Sequence, residues 1–133
     1  HLFGFATTVL GECIYDLDDM ADNLGKSYRV QDALMIKKYP CCGGNHAMLD
    51  SLFSLMRDND FTYDDVVDAE VDQSYYSVVM LYQDPDDELK GKFSTKYNVA
   101  AALVDGEVAV DTFTEDKIAA PTINEAMGRR PCD

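Results

Sequence analysis

Reactive side chains are concentrated in Lys37-Lys38-Tyr39-Pro40-Cys41-Cys42-Gly43-Gly44-Asn45-His46, which packs two ammonium groups, two thiols and an imidazole into one short stretch. Pro40 and the Gly43-Gly44 pair predict a turn, and Asn45 fits as the N-cap of a helix beyond it. A turn that opens a helix presents free backbone N–H groups and the positive end of the helix dipole. Nearby lysines add full charge, so a carboxylate or phosphate would be attracted there. The competing reading makes Lys37 and Lys38 ordinary surface lysines and His46 a first-turn helix residue. Cys41, Cys42 and His46 also offer the thiolate and imidazole that zinc prefers. Adjacent cysteines, however, are poorly spaced to meet one tetrahedral ion, and no CxxC pair completes the shell. A nucleophilic cysteine beside His46 would have its thiol pKa lowered by the lysines, but nothing supplies a third, orienting group. No metal and no cofactor are expected.

A second set of candidates lies downstream. Tyr97 follows Phe93 by one helical turn on an apolar face, as a core tyrosine would, with its hydroxyl seeking a partner at the edge. Lys92 and Lys96 are four residues apart and either form a solvated stripe or extend the cationic corner.

The elements that must position these residues are read from periodicity. Apolar residues at 17, 20, 21 and 24, followed by Gly25, predict a short helix over 16–24. Tyr28 to Tyr39 reads as a strand ended by Pro40. Met48, Leu49, Leu52, Phe53 and Met56 recur at helical spacing. Val67, Ala69 and Val71 alternate with Asp68, Glu70 and Asp72, the pattern of a strand with one face in water, and Tyr75 to Tyr82 could extend or pair with it. A long helix then runs from the acidic Asp84-Pro85-Asp86-Asp87 to Asp105-Gly106, with Leu89, Phe93, Tyr97, Ala100, Ala101 and Val104 on one face. Gly91 inside it costs about 1 kcal/mol relative to alanine. A strand at 107–110 and a short helix near 122–127 complete the order. Helices and strands mixed in this way predict an α+β fold, a small mainly antiparallel sheet with helices packed on one face, in a single domain over 1–133.

The chain has 133 residues, enough for one domain with its own core. Its 25 acidic against 11 basic residues leave a net charge of -14, which repels nucleic acid phosphates and anionic membrane surfaces. No segment approaches the roughly 20 uninterrupted apolar residues of a membrane helix. The run His1-Leu2-Phe3-Gly4-Phe5-Ala6 has no basic region and is too short for a signal peptide's apolar core, so a cytoplasmic protein with reduced cysteines is expected. Residue 1 is His rather than Met, which raises the expectation of a fragment with a missing neighbour.

Lys-x-Tyr-Pro-Cys-Cys over 37–42, followed by a histidine and a helix, resembles the MmgE/PrpD family. Residues 92–106, Lys-Phe-Ser-Thr-Lys-Tyr-Asn-Val-Ala-Ala-Ala-Leu-Val-Asp-Gly, resemble that family's second signature, and the likeness spans roughly residues 15 to 118. Family members include 2-methylcitrate dehydratases, cis-aconitate decarboxylases and iminodisuccinate epimerases, which act on small polycarboxylates without a metal or organic cofactor. The resemblance implies the smaller α+β domain of a two-domain subunit, with an active site in the cleft against a helical domain, and a homodimer. It implies Lys37, His46 and Tyr97 as catalytic groups, with Lys38, Cys41, Cys42 and Lys92 binding substrate. Dehydration is preferred, because the decarboxylase branch places an imidazole where this chain has Cys42. The alternative is a ligand-binding or interaction module with the same fold and no catalytic partner.

Overall fold

The amphipathic pattern after the glycine pair and the alanine-rich run that ends at Gly106 become the two longest helices among the described residues. The structure is a computed structural model, and it describes residues 22, 25, 26, 28, 30, 34–72 and 81–128. The chain divides into two units, His1–Ile36 and Lys37–Asp133. In the first, the Leu34 N–H donates to the Val30 carbonyl at 3.1 Å, a helical-turn bond inside the stretch expected to be a strand. The helix expected over 16–24 lies, apart from Asp22, outside the described residues.

In the second unit a 3-10 turn, Gly43–Asn45, leads into α1, His46–Asn59. A further 3-10 turn, Tyr63–Asp65, precedes an irregular stretch to Asp72. Then come α2, Glu88–Lys92, α3, Thr95–Asp105, a 3-10 turn at Val110–Phe113, α4, Glu115–Ile118, and α5, Pro121–Gly128. The single helix expected between Asp87 and Gly106 is therefore two. The Asp87 carboxylate caps α2 by accepting from the Lys90 N–H at 2.7 Å. Ser94 leaves helical geometry (φ -111°, ψ 113°), and its hydroxyl accepts from the Tyr97 N–H at 3.1 Å, starting α3 anew. The Asn98 amide donates to the carbonyls of Gly91 (2.9 Å) and Ser94 (2.7 Å), so the break between the helices leaves those two acceptors satisfied. Gly106 closes α3 in the left-handed region at φ 73°, with its N–H on the Ala102 carbonyl, as the Asp105-Gly106 ending predicts.

Helix α3 is the centre of this unit. Tyr97 through Leu103 are all buried, and α1, α2 and α5 pack around them. Ala100, Ala101 and Ala102 allow that approach from several sides at once, because a methyl is the only side-chain volume each brings. Leu49 from α1, Ile123 and Met127 from α5, and Phe113 and Ile118 complete the core. Gly91 earns its place by the same logic. A Cβ there would lie 2.5 Å from Ile118 Cδ1, so its absence lets α2 meet α4.

The expected antiparallel sheet is overturned: among the described residues there is no strand, and every regular element is helical. The alternation at 67–72 does not bury a face, since Val67, Ala69 and Val71 are all exposed. A strand needs a neighbour for its ladder and a core for its apolar side, and the side chains of α1, α3 and α5 already fill the core. At 107–110 a local bond wins instead. The Thr112 hydroxyl accepts the Ala109 N–H at 3.0 Å and Thr112 N–H returns to the Ala109 carbonyl, folding the segment into a turn. The run 75–82 lies, apart from its last two residues, outside the described residues. Among the described residues, no helix is long and apolar enough to cross a membrane.

Gly91→Val should destabilise the chain by about 2 kcal/mol or more, because its branch runs into Ile118 and Phe113. Gly106→Ala, with open space around it but a positive φ, should cost only about 1 kcal/mol. Urea denaturation of both variants checks the order.

Candidate functional site

The lysine-rich loop is fastened at its centre by Tyr39, which is buried between α1 side chains. Its ring meets His46 edge-on at 5.4 Å and lies tilted against Phe53 at 5.8 Å, while its hydroxyl donates to Asp50 Oδ1 at 2.8 Å. Lys38 ion-pairs with the same carboxylate and sits 5.1 Å from the Tyr39 ring centroid. The hydrogen bond from Lys38, and then that from Tyr39, hold the Asp50 carboxyl below its usual range. Lys38 is raised in turn, chiefly by its bond to Asp50, and Tyr39 is raised by burial and then by Asp50. The ammonium of Lys38 is thus already balanced by a carboxylate.

Lys37 lies differently. Its Nζ donates to the Cys41 carbonyl at 3.0 Å, which folds the side chain over its own loop and occupies one of three donors with a neutral acceptor. No carboxylate among the described residues forms an ion pair with it. His46 is half-buried on the first turn of α1, and its Nε2 is buried without a hydrogen-bond partner among the described residues. Asn45, expected as the N-cap of α1, makes no capping bond. It is fully buried, and its Oδ1 accepts instead from the Thr95 hydroxyl at 3.0 Å.

That bond and a second one join the loop to the start of α3. The Cys42 N–H donates to the Lys92 carbonyl at 2.9 Å. The structure therefore brings Cys42, Asn45, Lys92 and Thr95 together across about fifty residues of sequence. The Lys92 ammonium lies 5.9 Å from the Phe113 ring centroid, whereas Lys96 is paired with Asp84 at 2.8 Å. Cys41 is buried, and burial followed by the neighbouring Cys42 pushes its thiol up to about 11, against the opposing pull of Lys37. Among the described residues no three His, Cys, Asp or Glu side chains are grouped as a metal ion requires.

Tyr97, implied by resemblance to line a cleft, is fully buried. Its hydroxyl donates to the Thr112 carbonyl at 2.6 Å, and burial, with Asp105 adding, pushes it up to about 12. In this arrangement the phenol ties α3 to the Val110–Phe113 turn and has no open face for a substrate. Asp50 was passed over by sequence reasoning, and Asn45 was read as a helix cap when it is bonded to Thr95 instead. Asp50 occupies a solvent-facing helix position with nothing in the local pattern to set it apart, and the partner of Asn45 lies fifty positions away.

A loop with two adjacent lysines is held by a tyrosine against one helix and tied to the alanine-rich helix at the centre of a small helical unit. Residues 39–132 match the model of the MmgE/PrpD C-terminal domain, and the chain belongs to that family. Among curated proteins none matches the chain.

Cys41 should be alkylated far more slowly than Cys42 by iodoacetamide at pH 8, as mass spectrometry of the digested peptides would measure. Equal rates would mean that the loop opens freely. Tyr97 and Cys41 also set an alkaline limit. Both lose protons more readily unfolded, with ordinary values near 10 and 9 against about 12 and 11 folded, so their contribution is intact below pH 9 and declines as pH rises from about 9 to 12. Tyr97→Phe should cost about 1–2 kcal/mol at neutral pH by leaving the Thr112 carbonyl unpaired, and should remove the tyrosine part of that decline, read from melting temperature against pH.

Proposed function

We propose that this chain is the smaller part of an MmgE/PrpD-type lyase or isomerase acting on a small polycarboxylate, with 2-methylcitrate-like dehydration favoured. The observation that carries the reading is the state of the two adjacent lysines. Lys38 is neutralised by Asp50 and shapes the loop, which leaves Lys37 as the ammonium to receive a substrate carboxylate. Exchanging the Cys41 carbonyl for a carboxylate would give Lys37 a charge-assisted hydrogen bond and place negative charge against the loop before α1. Developing charge on loss of a proton beside that carboxylate would be stabilised by the same group. His46, whose Nε2 has no partner among the described residues, is the group in this unit suited to proton transfer. Cys42 and Lys92 hold the loop's far side through their backbone bond, and Cys41, with its thiol held neutral, acts by packing.

In this reading the remaining acid and base groups come from a helical domain of the same subunit, and a homodimer is the working assembly. The whole would be a single domain closing on its partner, acting in the cytoplasm without a cofactor. A second reading, a ligand-binding module without catalysis, is favoured by one observation. The Tyr97 hydroxyl is engaged by Thr112, which takes one of the implied proton carriers out of reach of a ligand.

Titration calorimetry with citrate and tricarballylate tests the anion corner directly. Lys37→Ala should weaken binding by about tenfold or more, and Lys38→Ala by less, since that ammonium is already paired. Equal losses, or none, would remove Lys37 from its role. The chain joined to a helical domain should then turn over 2-methylcitrate, citrate, cis-aconitate or iminodisuccinate with and without chelator. Binding without turnover of any of the four would select the module.

A further inference from the structure

Among the described residues of the second unit, a groove of about 880 Å³ lies between α1 and residues 66–72. Its floor carries Met48, Leu52 and Leu55 from α1, spaced i, i+4 and i+7 along one helical face, and Val71 borders it from the facing segment. Met48 and Leu52 are half-buried, but Leu55 is 56% exposed and Val71 38% exposed. Such a ridge on a helix is the surface that a second helix packs against. Asp68, Glu70 and Asp72 form the opposite lip. Among the described residues no lysine or arginine pairs with any of the three. From Asp58 to Asp72 the sequence holds seven acidic residues and no basic one.

We propose that this groove is the seat of a cationic amphipathic helix from a partner protein. Its apolar face would cover Met48, Leu52 and Leu55, and its flanking lysines or arginines would meet Asp68, Glu70 and Asp72. The charge decides the occupant. At this acidic lip a second copy of the chain, itself of net charge -14, would meet its own sign, whatever assembly its other faces form, and an anionic lipid surface would be repelled likewise. A cationic helix removes that repulsion and buries the leucine, and the length of α1, about 21 Å for its 14 residues, accommodates three to four turns of partner. The proposal does not depend on Lys37 or His46, neither of which lines the groove.

The test uses a fluorescein-labelled peptide of about 16 residues, roughly the length of α1, with leucines on one face and lysines flanking them. Two controls accompany it, a scramble of identical composition and a version with glutamate in place of lysine. Fluorescence anisotropy with the 133-residue chain at physiological salt should show the amphipathic peptide binding about tenfold or more tighter than the scramble, with no binding of the glutamate version. Leu55→Glu, at an exposed position, should abolish the preference for the amphipathic peptide over its scramble. The triple change Asp68→Asn, Glu70→Gln, Asp72→Asn should weaken binding by about tenfold and flatten its salt dependence. Glu115→Gln with Asp116→Asn, on α4 and outside the groove, should leave binding unchanged. Equal affinity for the scramble, indifference to Leu55→Glu, or tight binding of the glutamate peptide would each overturn the proposal. So would a dimer of the chain in sedimentation that Leu55→Glu dissolves, which would make the occupant a second copy.

Discussion

Burial of α3 on every side is the constraint on which the rest of the second unit depends. A helix surrounded in this way must bring little volume toward its neighbours and must leave no polar group of its ends unpaired. The three consecutive alanines meet the first demand. Ser94, Asn98 and Gly106 meet the second, each in a different way: a hydroxyl cap, an amide bridging two carbonyls, and a left-handed residue that returns its N–H to the last turn. Asp105 adds a carboxylate at the negative end of the helix, and Lys117 offsets it with two hydrogen bonds of 2.8 Å from α4. Tyr97, whose ring could not fit without an acceptor for its hydroxyl, finds one in Thr112.

The lysine loop inherits its shape from this arrangement. Cys42 and Asn45 are bonded to Lys92 and Thr95, at the junction where α2 ends and α3 begins, so the loop is held against a rigid element rather than standing free. On its other flank Tyr39, Lys38 and Asp50 form a small closed set in which each polar group has its partner. The consequence is a division of labour between neighbours. Lys38 contributes to the architecture, while Lys37 retains a charge that no carboxylate among the described residues neutralises.

Membership of the MmgE/PrpD family was legible in the spelling of two motifs, and the match of residues 39–132 to the model of the family's C-terminal domain agrees with it. The helix over 46–59, the helix over 121–128 and the glycine close of α3 were legible too, since each follows from spacing or from one residue with a special backbone preference. The sheet was not. Alternation of valine and acid at 67–71 satisfies the pattern of a strand, but the pattern says nothing of whether a neighbour exists to complete the ladder or whether the core has room for those valines. At 109–112 a side-chain hydroxyl competed for the backbone and won, an outcome that propensity cannot rank.

By itself, then, the sequence determined the family, the place of the cationic loop, the amphipathic register of α1 and the excess of negative charge, because each is a property of composition or of residues near one another along the chain. Only the tertiary structure decided which lysine is balanced by a carboxylate, that Asn45 serves Thr95 instead of capping its own helix, that the Tyr97 hydroxyl is closed off, and that the acidic stretch borders a groove instead of joining a sheet. These outcomes rest on partners ten to fifty positions away, and the strength of a hydrogen bond, an ion pair or a buried contact depends on distance in space, which local periodicity does not encode.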